Sequence, residues 1–477
     1  MDKPPEIESG NIEYKRQLIN ISENRFIGLR NQMLWRMNES FIKNNILEAI
    51  YYIGIEDNGT VSGLKSHEHK ESITNLKKIV KSINAEIIST QVTCSNKGIF
   101  SKNIIKQSNM LRKKDIKIIV LGSSSSGKST LISVLAHGHP DNGMGSAKEL
   151  MLKYDHETKS GNTSSINYEI YGYDKNNNVI NSSSNFLSSW SSIIEQSDKI
   201  ISLIDTPGSP NYMKTTLFGI LAHKPNFAII TIDGNNHELD DYTKNIINIC
   251  DNILLSYVLV IIKYENNFNI KINDAIPISN ITCEGYDKLH DIIKKLEPIK
   301  NNDNPTEFMI NKLFDVHDIG NVMMGTCLNG NVSINDKLLI GSYNSNFYNA
   351  TILSIHQKQI PVNNIYTGDT ACIVVKLQDN IKLKKNMILI SEDNMDNVVS
   401  SFNIILNKEI TEDNILKVNS DIMIYTMNIQ EKVKIINIRD NKISAIFNNN
   451  SQRYIKDFEH VIIEHNCNYL FGTIKKS

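Results

Sequence analysis

The chain has 477 residues, of which 40% are hydrophobic and 22% charged, with a formal net charge of −1. That length allows about three or four domains with ordinary cores. The near-neutral balance gives no global basic field, so DNA is not an expected partner. Six scattered cysteines (Cys94, Cys250, Cys283, Cys327, Cys372, Cys467) form no CxxC pair. They argue against a zinc site or a disulfide framework and for a reducing compartment. Met1-Asp2-Lys3-Pro4-Pro5 carries no apolar leader, and runs such as Tyr257 to Ile262 are too short to span a bilayer. A cytoplasmic protein with no membrane contact is the expectation.

Residues 1–113 read as a small α+β domain. Phe26 to Met37 has helical apolar spacing, and Glu48 to Ile55 reads as a strand. A turn at Glu56-Asp57-Asn58-Gly59 leads into a partner strand, Thr60 to Leu64. Helix Glu71–Ile83 and strand Ala85–Val92 follow. No catalytic constellation lies here. Arg112-Lys113-Lys114 reads as a basic linker face.

Residues 114–300 alternate strand and helix. Strands Lys117–Leu121, Ile200–Ile204, Phe227–Ile232, Tyr257–Ile262 and Ala275–Ile278 are separated by helical runs that include Tyr242–Cys250 and Tyr286–Leu296. This is the pattern of a parallel sheet covered on both faces, whose ligands bind at the carboxyl ends of the strands. The first of those ends reads Gly122-Ser123-Ser124-Ser125-Ser126-Gly127-Lys128-Ser129-Thr130, the spacing GxxxxGK[ST], and the helix Ser129–His137 follows. Small residues let successive main-chain N–H groups wrap a phosphate. Lys128 reaches the outer phosphates, the Ser129 hydroxyl ligates Mg²⁺, and the helix N-terminus adds its positive end.

Asp205-Thr206-Pro207-Gly208 follows the next strand. A carboxylate at that tip can hold Mg²⁺ through a water, and Gly208 can offer its N–H to a γ-phosphate. Between the two motifs, Gly161-Asn162-Thr163-Ser164-Ser165 supplies Thr163 as the hydroxyl that closes on the metal. A Ser/Thr loop with no ligand role fits the same letters. After Tyr257–Ile262 come Lys263-Tyr264-Glu265. A lysine stem can pack along a guanine ring while a carboxylate accepts from N1 and the exocyclic amine. Ser279-Asn280 would add main-chain contacts to the base edge. After Pro305 short β segments with Gly and Asn turns take over: Val316–Leu328, Lys337–Ile340, Ala350–His356, Ala371–Lys376 and Met387–Ile390, then a second set from Phe402 to Ile474. They read as two barrels, 301–395 and 396–477, joined near Ser391–Asn397.

The chain resembles a translational GTPase of the elongation factor Tu superfamily, in the eukaryotic branch called GTP-binding proteins one and two. The resemblance is carried by Glu48–Leu64, Ser129–Gly145, Tyr154–Ser165, Tyr212–Ile230, Ile319–Ser342, Ser354–Val362 and Phe471–Ile474. It implies a P-loop G domain over 114–300, two β-barrels behind it and the N-terminal extension typical of that branch. It also implies GTP, GDP and Mg²⁺, and as partners the ribosome and tRNA or the RNA-decay machinery. By the same resemblance Gly122 to Thr130 is the phosphate loop, Thr163 the switch-one threonine and Asp205 to Gly208 switch two. Lys263 and Glu265 fall on the base-reading motif, and Ser279-Asn280 on the last one. Ser129, Thr163 and Asp205 are the metal set, and Lys128, Thr163, Gly208 and Ser209 the catalytic one. Five positions depart from the family pattern. Ser209 occupies the place where the family usually has the water-positioning His. Ser124 and Ser125 replace Val and Asp of the phosphate loop. Glu265 replaces Asp, and Ile262 stands where Asn or Thr leads the base motif. Three functions therefore remain open: a GTPase switch, a GTP-binding adaptor with negligible turnover, and a P-loop ATPase.

Overall fold

The computed structural model describes residues 3–476 apart from 8, 45–46, 84, 108–112, 152–162, 164, 183–189, 264–271, 301, 317–319, 359, 380, 409–415 and 466–467. Two compact units are present, one over Met1–Lys113 and the other over Lys114–Lys358 and Val362–Ser477.

The first unit carries strand β1 (Ile12–Lys15), helix α1 (Glu23–Asn44), strand β2 (Glu48–Ile53), helix α2 (Ser66–Ser82) and strands β3 (Ala85–Ser95) and β4 (Gly98–Gln107). The sheet order is β1-β2-β4-β3, with β1 parallel to β2 and the other pairs antiparallel. The expected strand at Thr60 to Leu64 is absent. That stretch pairs through the isolated bridges Ile55↔Val61 and Leu64↔Ile99 and through turn hydrogen bonds from Ser62 N and Gly63 N to Gly54 O. Gly59 and Gly63 hold φ of 87° and 64° there, so the chain turns rather than runs. The true partners of β2 are β1 and β4, which the sequence reading missed. Arg36, 3% exposed, donates to the carboxylates of Glu13 (2.6 Å) and Glu6 and to the main-chain oxygens of Ile7 and Gly10. A buried guanidinium needs that full set of acceptors.

The second unit begins with a seven-stranded sheet. In chain order its elements are β5 (Lys114–Gly122), α3 (Lys128–His137), α4 (Ser146–Glu149), β6 (Asn167–Tyr173), β7 (Val179–Ile180), α5 (Trp190–Gln196), β8 (Lys199–Asp205), α6 (Met213–Ala222), β9 (Phe227–Asp233), α7 (Asp241–Asn252), β10 (Tyr257–Lys263), β11 (Ile276–Ser279) and α8 (Tyr286–Lys295). The spatial order is β11-β10-β9-β5-β8-β6-β7. Side chains alternate across β5. Ile116, Ile118 and Val120 pack with α3 and α8, while Ile119 and Leu121 pack with α6 and α7. Both faces are therefore covered, as the apolar run in β5 requires.

The sheet is mixed rather than wholly parallel. β5, β8, β9, β10 and β11 are parallel, but β6 runs antiparallel to β8 and β7 to β6. The reason is connectivity: a chain that leaves Thr163 at the carboxyl edge has to run back down the sheet.

Two closed antiparallel barrels follow. The first orders Lys337–Tyr343, Ile388–Ile390, Glu307–Val316, Gly320–Asn329, Thr370–Leu377 and Asn346–Gln357, and the last of these pairs with the first. The segment read as one strand, Val316 to Leu328, is thus the end of one strand and most of the next. The second barrel orders Ser401–Leu406, Lys442–Phe447, Gln430–Arg439, Asp421–Tyr425, His460–His465 and Asn468–Lys476. The expected join is a short 3₁₀ turn, Glu392–Asn397.

Both barrels pack on the sheet domain. Tyr425 and Ile462 of the second share a core with Leu217, Ile220 and Ile246 of α6 and α7. Against the first barrel lies a buried polar seam. His223 meets the Tyr168 hydroxyl through Nε2 and accepts from the Asn311 amide at Nδ1 (3.4 Å). Lys117 donates to the His223 carbonyl, and Lys224 donates to Leu328 O (2.6 Å). Burial holds His223 neutral, down to about 3, and pulls the Lys117 ammonium down to about 7.

Because the Lys117 value lies below its ordinary 10.5, the unfolded chain takes up a proton first as pH falls, and stability drops between about 10.5 and 7. Lys117→Met removes that titration. Denaturation midpoints of wild type and variant should diverge in the variant's favour from about pH 9.5 down to about pH 7. An unchanged gap across that window would refute a neutral buried lysine.

Candidate nucleotide site

Sheet register brings the motifs together. Val120 of β5 pairs with Asp205 of β8, and Asp205 with Asn167 of β6. The loop after β5, the tip of β8 and Thr163 just before β6 therefore meet at one edge. Lys263 pairs with Ser279 at the same edge.

The loop from Gly122 to Thr130 is held open by its backbone. Gly122, Ser125 and Gly127 have φ of 136°, 63° and 87°. A Cβ on Gly122 would stand 2.3 Å from the Thr231 carbonyl oxygen, so only glycine fits. Ser125 takes the left-handed conformation at the modest cost of a non-glycine residue. The Ser126 hydroxyl donates to Ser123 O (2.8 Å) and lies 2.6 Å from Thr231 Oγ1. It is fully buried, and its hydroxyl braces the loop on β9. Lys128 Nζ donates to Gly122 O (3.0 Å) and Ser123 O (2.7 Å). Burial brings its ammonium down to about 8, opposed by the charge of Asp205.

Behind the loop three oxygen-bearing side chains converge. Ser129 Oγ donates to Asp205 Oδ2 (2.8 Å) and lies 3.0 Å from Thr163 Oγ1, and Thr163 Oγ1 stands 3.4 Å from the same carboxylate oxygen. All three residues are buried. Asp205 Oδ1 is buried with no hydrogen-bond partner among the described residues. Burial raises this carboxyl, against the lowering effects of Lys128, Ser129 and Thr163. An orphaned carboxylate oxygen beside two hydroxyls suits a hard, oxygen-seeking cation such as Mg²⁺. The described residues hold no cluster of three His, Cys, Asp or Glu, so such an ion would take much of its shell from ligand and water.

The cleft in front of this cluster has a volume of about 230 Å³. Of the expected residues Ser124, Ser125, Gly127, Lys128, Ser129, Thr130, Thr163, Gly208 and Asn280 line it. Gly122, Ser123, Ser126, Asp205 and Ser279 support that wall from behind. A Cβ on Gly208 would lie 2.3 Å from Lys128 Nζ and 2.7 Å from Gly122 O, so the turn after β8 closes onto the loop only as glycine. Asn280 Oδ1 accepts from the Tyr286 hydroxyl (2.7 Å). Lys263 closes β10, while Glu265, Gly161 and Asn162 lie outside the described residues.

Ser209, expected to orient water, does not line the cleft. Its hydroxyl accepts from Asn211 N (3.4 Å) and caps the 3₁₀ turn Pro210–Tyr212. Proline at the first position of that turn explains the preference for a capping serine before it. Reading the sequence missed Asp141, Gly143, Gly145, Lys148 and Ile281 as cleft residues. Their signal was the string Asp141-Asn142-Gly143-Met144-Gly145, which marks a tight side-chain-braced turn.

Residues 113–345 match the sequence profile of the elongation factor Tu GTP binding domain. That match covers just under half of the chain and is a likeness to the elongation factor Tu-like superfamily of translational GTPases. This chain is 29% identical over 424 residues to GTP-binding protein 1 of Xenopus laevis, covering 78% of this chain and 64% of that protein. It is 27% identical over 458 residues to GTP-binding protein 2 of Mus musculus, covering 84% and 74%. The match thus spans less than two thirds of the frog protein and about three quarters of the mouse protein. Two solved folds are similar at 16% identity. One is a bacterial selenocysteine-specific elongation factor (TM-score 0.57, 76% of this chain and 58% of that one). The other is elongation factor SelB from Methanococcus maripaludis in complex with the GTP analogue GppNHp (TM-score 0.56, 77% and 80%). At that identity the likeness is one of fold.

If the Ser129, Thr163 and Asp205 cluster holds a cation, Asp205→Asn uncouples nucleotide from metal. Chelation with EDTA should weaken GDP binding to wild type by about tenfold or more and to the variant by less than about twofold. Equal responses would remove Asp205 from the metal set.

Proposed function

We propose that this chain is a GTP-binding protein of translation-factor type that hydrolyses GTP to GDP as a conformational switch. The observation that carries the reading is the buried set Ser129, Thr163 and Asp205, one oxygen of it unpaired, at the mouth of a loop whose Lys128 is free to exchange carbonyl for phosphate acceptors. The superfamily and the complex of the SelB neighbour with a GTP analogue support GTP as the ligand.

In this reading the main-chain amides of Ser124 to Thr130 and the Lys128 ammonium grip the phosphates. Ser129, Thr163 and Asp205 hold Mg²⁺, which when bound neutralises charge on the phosphate oxygens. Gly208 presents its N–H to the γ-phosphate, and closure of the turn after β8 over Lys128 registers that phosphate. Lys263 and Glu265 read the guanine, with Ser279 and Asn280 along its other edge. By analogy with its relatives, a cytoplasmic role at the ribosome with tRNA, or in RNA decay, fits this chain.

One observation favours a second reading, a GTP-binding adaptor with negligible turnover. The Ser209 hydroxyl is engaged in capping its own turn, and no imidazole stands among the described residues lining the cleft. Without a water-positioning group the rate is low, since removing one such transition-state contact commonly costs about 10²–10³.

Calorimetric titration of the full chain with GTP, GDP and ATP in Mg²⁺ tests the site and the base. GTP and GDP are expected to bind and ATP to bind far more weakly, while Lys128→Ala should abolish binding. ATP binding as tight as GTP would make the protein a P-loop ATPase. Phosphate release with and without ribosomes then separates the two readings. Turnover above the Lys128→Ala control, raised about tenfold or more by Ser209→His, is the switch outcome. No release above that control in either condition would leave the adaptor.

A further inference from the structure

The cleft contains a second cation that no motif predicts. The segment Asp141–Gly145 and helix α4 form a tightly braced unit. The Asp141 carboxylate accepts from Gly143 N (2.8 Å), Gly145 N (3.3 Å) and Ala147 N (2.9 Å), and the Asn142 side-chain oxygen from Met144 N (2.8 Å) and Ser146 N (3.3 Å). Asp141 N in turn donates to Asn280 O (2.8 Å), tying the unit to the turn after β11. Ala147 and Met151 anchor α4 in the core beneath the sheet, 4% and 1% exposed. Lys148 lies between those anchors, half-buried, in the cleft wall with Lys128, Thr163 and Gly208. Its charge also bears on Lys128 and Asp205, lowering the pKa of both.

Lys148 forms no ion pair among the described residues. The Asp141 carboxylate beside it is occupied by main-chain donors. Among the described residues the cleft therefore sets two ammonium groups against one carboxylate not taken up by main-chain donors, Asp205, one oxygen of which Ser129 and Thr163 engage. A rigid element that points a lysine into such a cleft is a phosphate contact, because an ammonium is a compact point charge that phosphate oxygens satisfy in many orientations.

We propose that Lys148 is a second phosphate-binding residue, directed at the γ-phosphate, and that it makes the site prefer a nucleoside triphosphate to a diphosphate. The proposal rests on the nucleotide-binding reading above. It also supplies charge next to the reacting phosphate in a cleft that Ser209 does not enter. Cations donated in cis to a transferring phosphoryl group serve that purpose generally.

The test uses the full chain and competition of GDP and non-hydrolysable GppNHp against a fluorescent GDP analogue. Lys148→Met keeps the stem and removes the charge. It should lower the preference for GppNHp over GDP by about tenfold while weakening GDP by less than about threefold. Lys148→Arg should restore most of the preference. Asp141→Ala, which releases the turn that carries α4 without altering Lys148, should lower the same ratio. An unchanged ratio in Lys148→Met, or equal weakening of both ligands, would overturn the proposal, the second by showing a general structural role. Failure of wild type to bind either nucleotide would instead sink the nucleotide reading itself, so the two failures are distinguishable. Melting temperatures of all variants within a few degrees of wild type confirm that they fold.

Discussion

A carboxylate buried at the edge of a sheet governs this protein. Asp205 is 1% exposed, and an ionised carboxylate in such a place is costly unless donors or a cation surround it. Two hydroxyls answer one of its oxygens and nothing described answers the other. The three elements that meet there (the loop after β5, the segment before β6 and the tip of β8) are joined by strand register, Val120 to Asp205 to Asn167. A one-residue slip in either pairing would turn Asp205 to the opposite face and dissolve the cluster. The fold of the sheet domain is thus tied to a cluster of one buried carboxylate and two hydroxyls.

The same edge is connected mechanically to both barrels. α6 begins three residues after Pro210, directly beyond the turn that closes Gly208 onto Lys128. Along its length Leu217 and Ile220 pack with Tyr425 and Ile462 of the second barrel. Immediately after its end His223 enters the polar seam with Asn311 of the first. One helix therefore joins the turn at Gly208 to two interfaces. One interface is apolar and tolerant of sliding. The other is a set of buried hydrogen bonds with discrete alternatives, the kind of contact that converts small shifts into two-state behaviour.

Much of the site was readable because its chemistry is local. A loop that wraps phosphate needs small residues, a lysine and a hydroxyl within nine consecutive positions, and Gly122 to Thr130 contains them. What escaped was the part made by contacts distant in sequence. Ser126 carries the right letter for a phosphate loop, yet Thr231, 105 residues away, draws its hydroxyl into the sheet. Ser209 matches a catalytic place in the family pattern, but the following proline turn claims its oxygen. Lys148 belongs to no pattern, and its position depends on Asp141 and on the carbonyl of Asn280. In the first unit, β4 was missed because only its pairing with β2 and β3 distinguishes that polar stretch from loop.

Sequence alone determined the alternation of apolar runs and turns, and with it the order of a sheet domain and two barrels, because periodicity and turn chemistry are properties of neighbouring residues. It also determined that a loop with the GxxxxGK[ST] spacing stands at the end of the first strand of that sheet domain. The tertiary structure alone decided that β6 reverses direction, that Asp205 keeps one oxygen without a partner among the described residues, and that Lys148 shares a cleft with Lys128. Each depends on where distant backbone segments cross, and hydrogen-bond partners and buried charge are set by that crossing rather than by any stretch of letters.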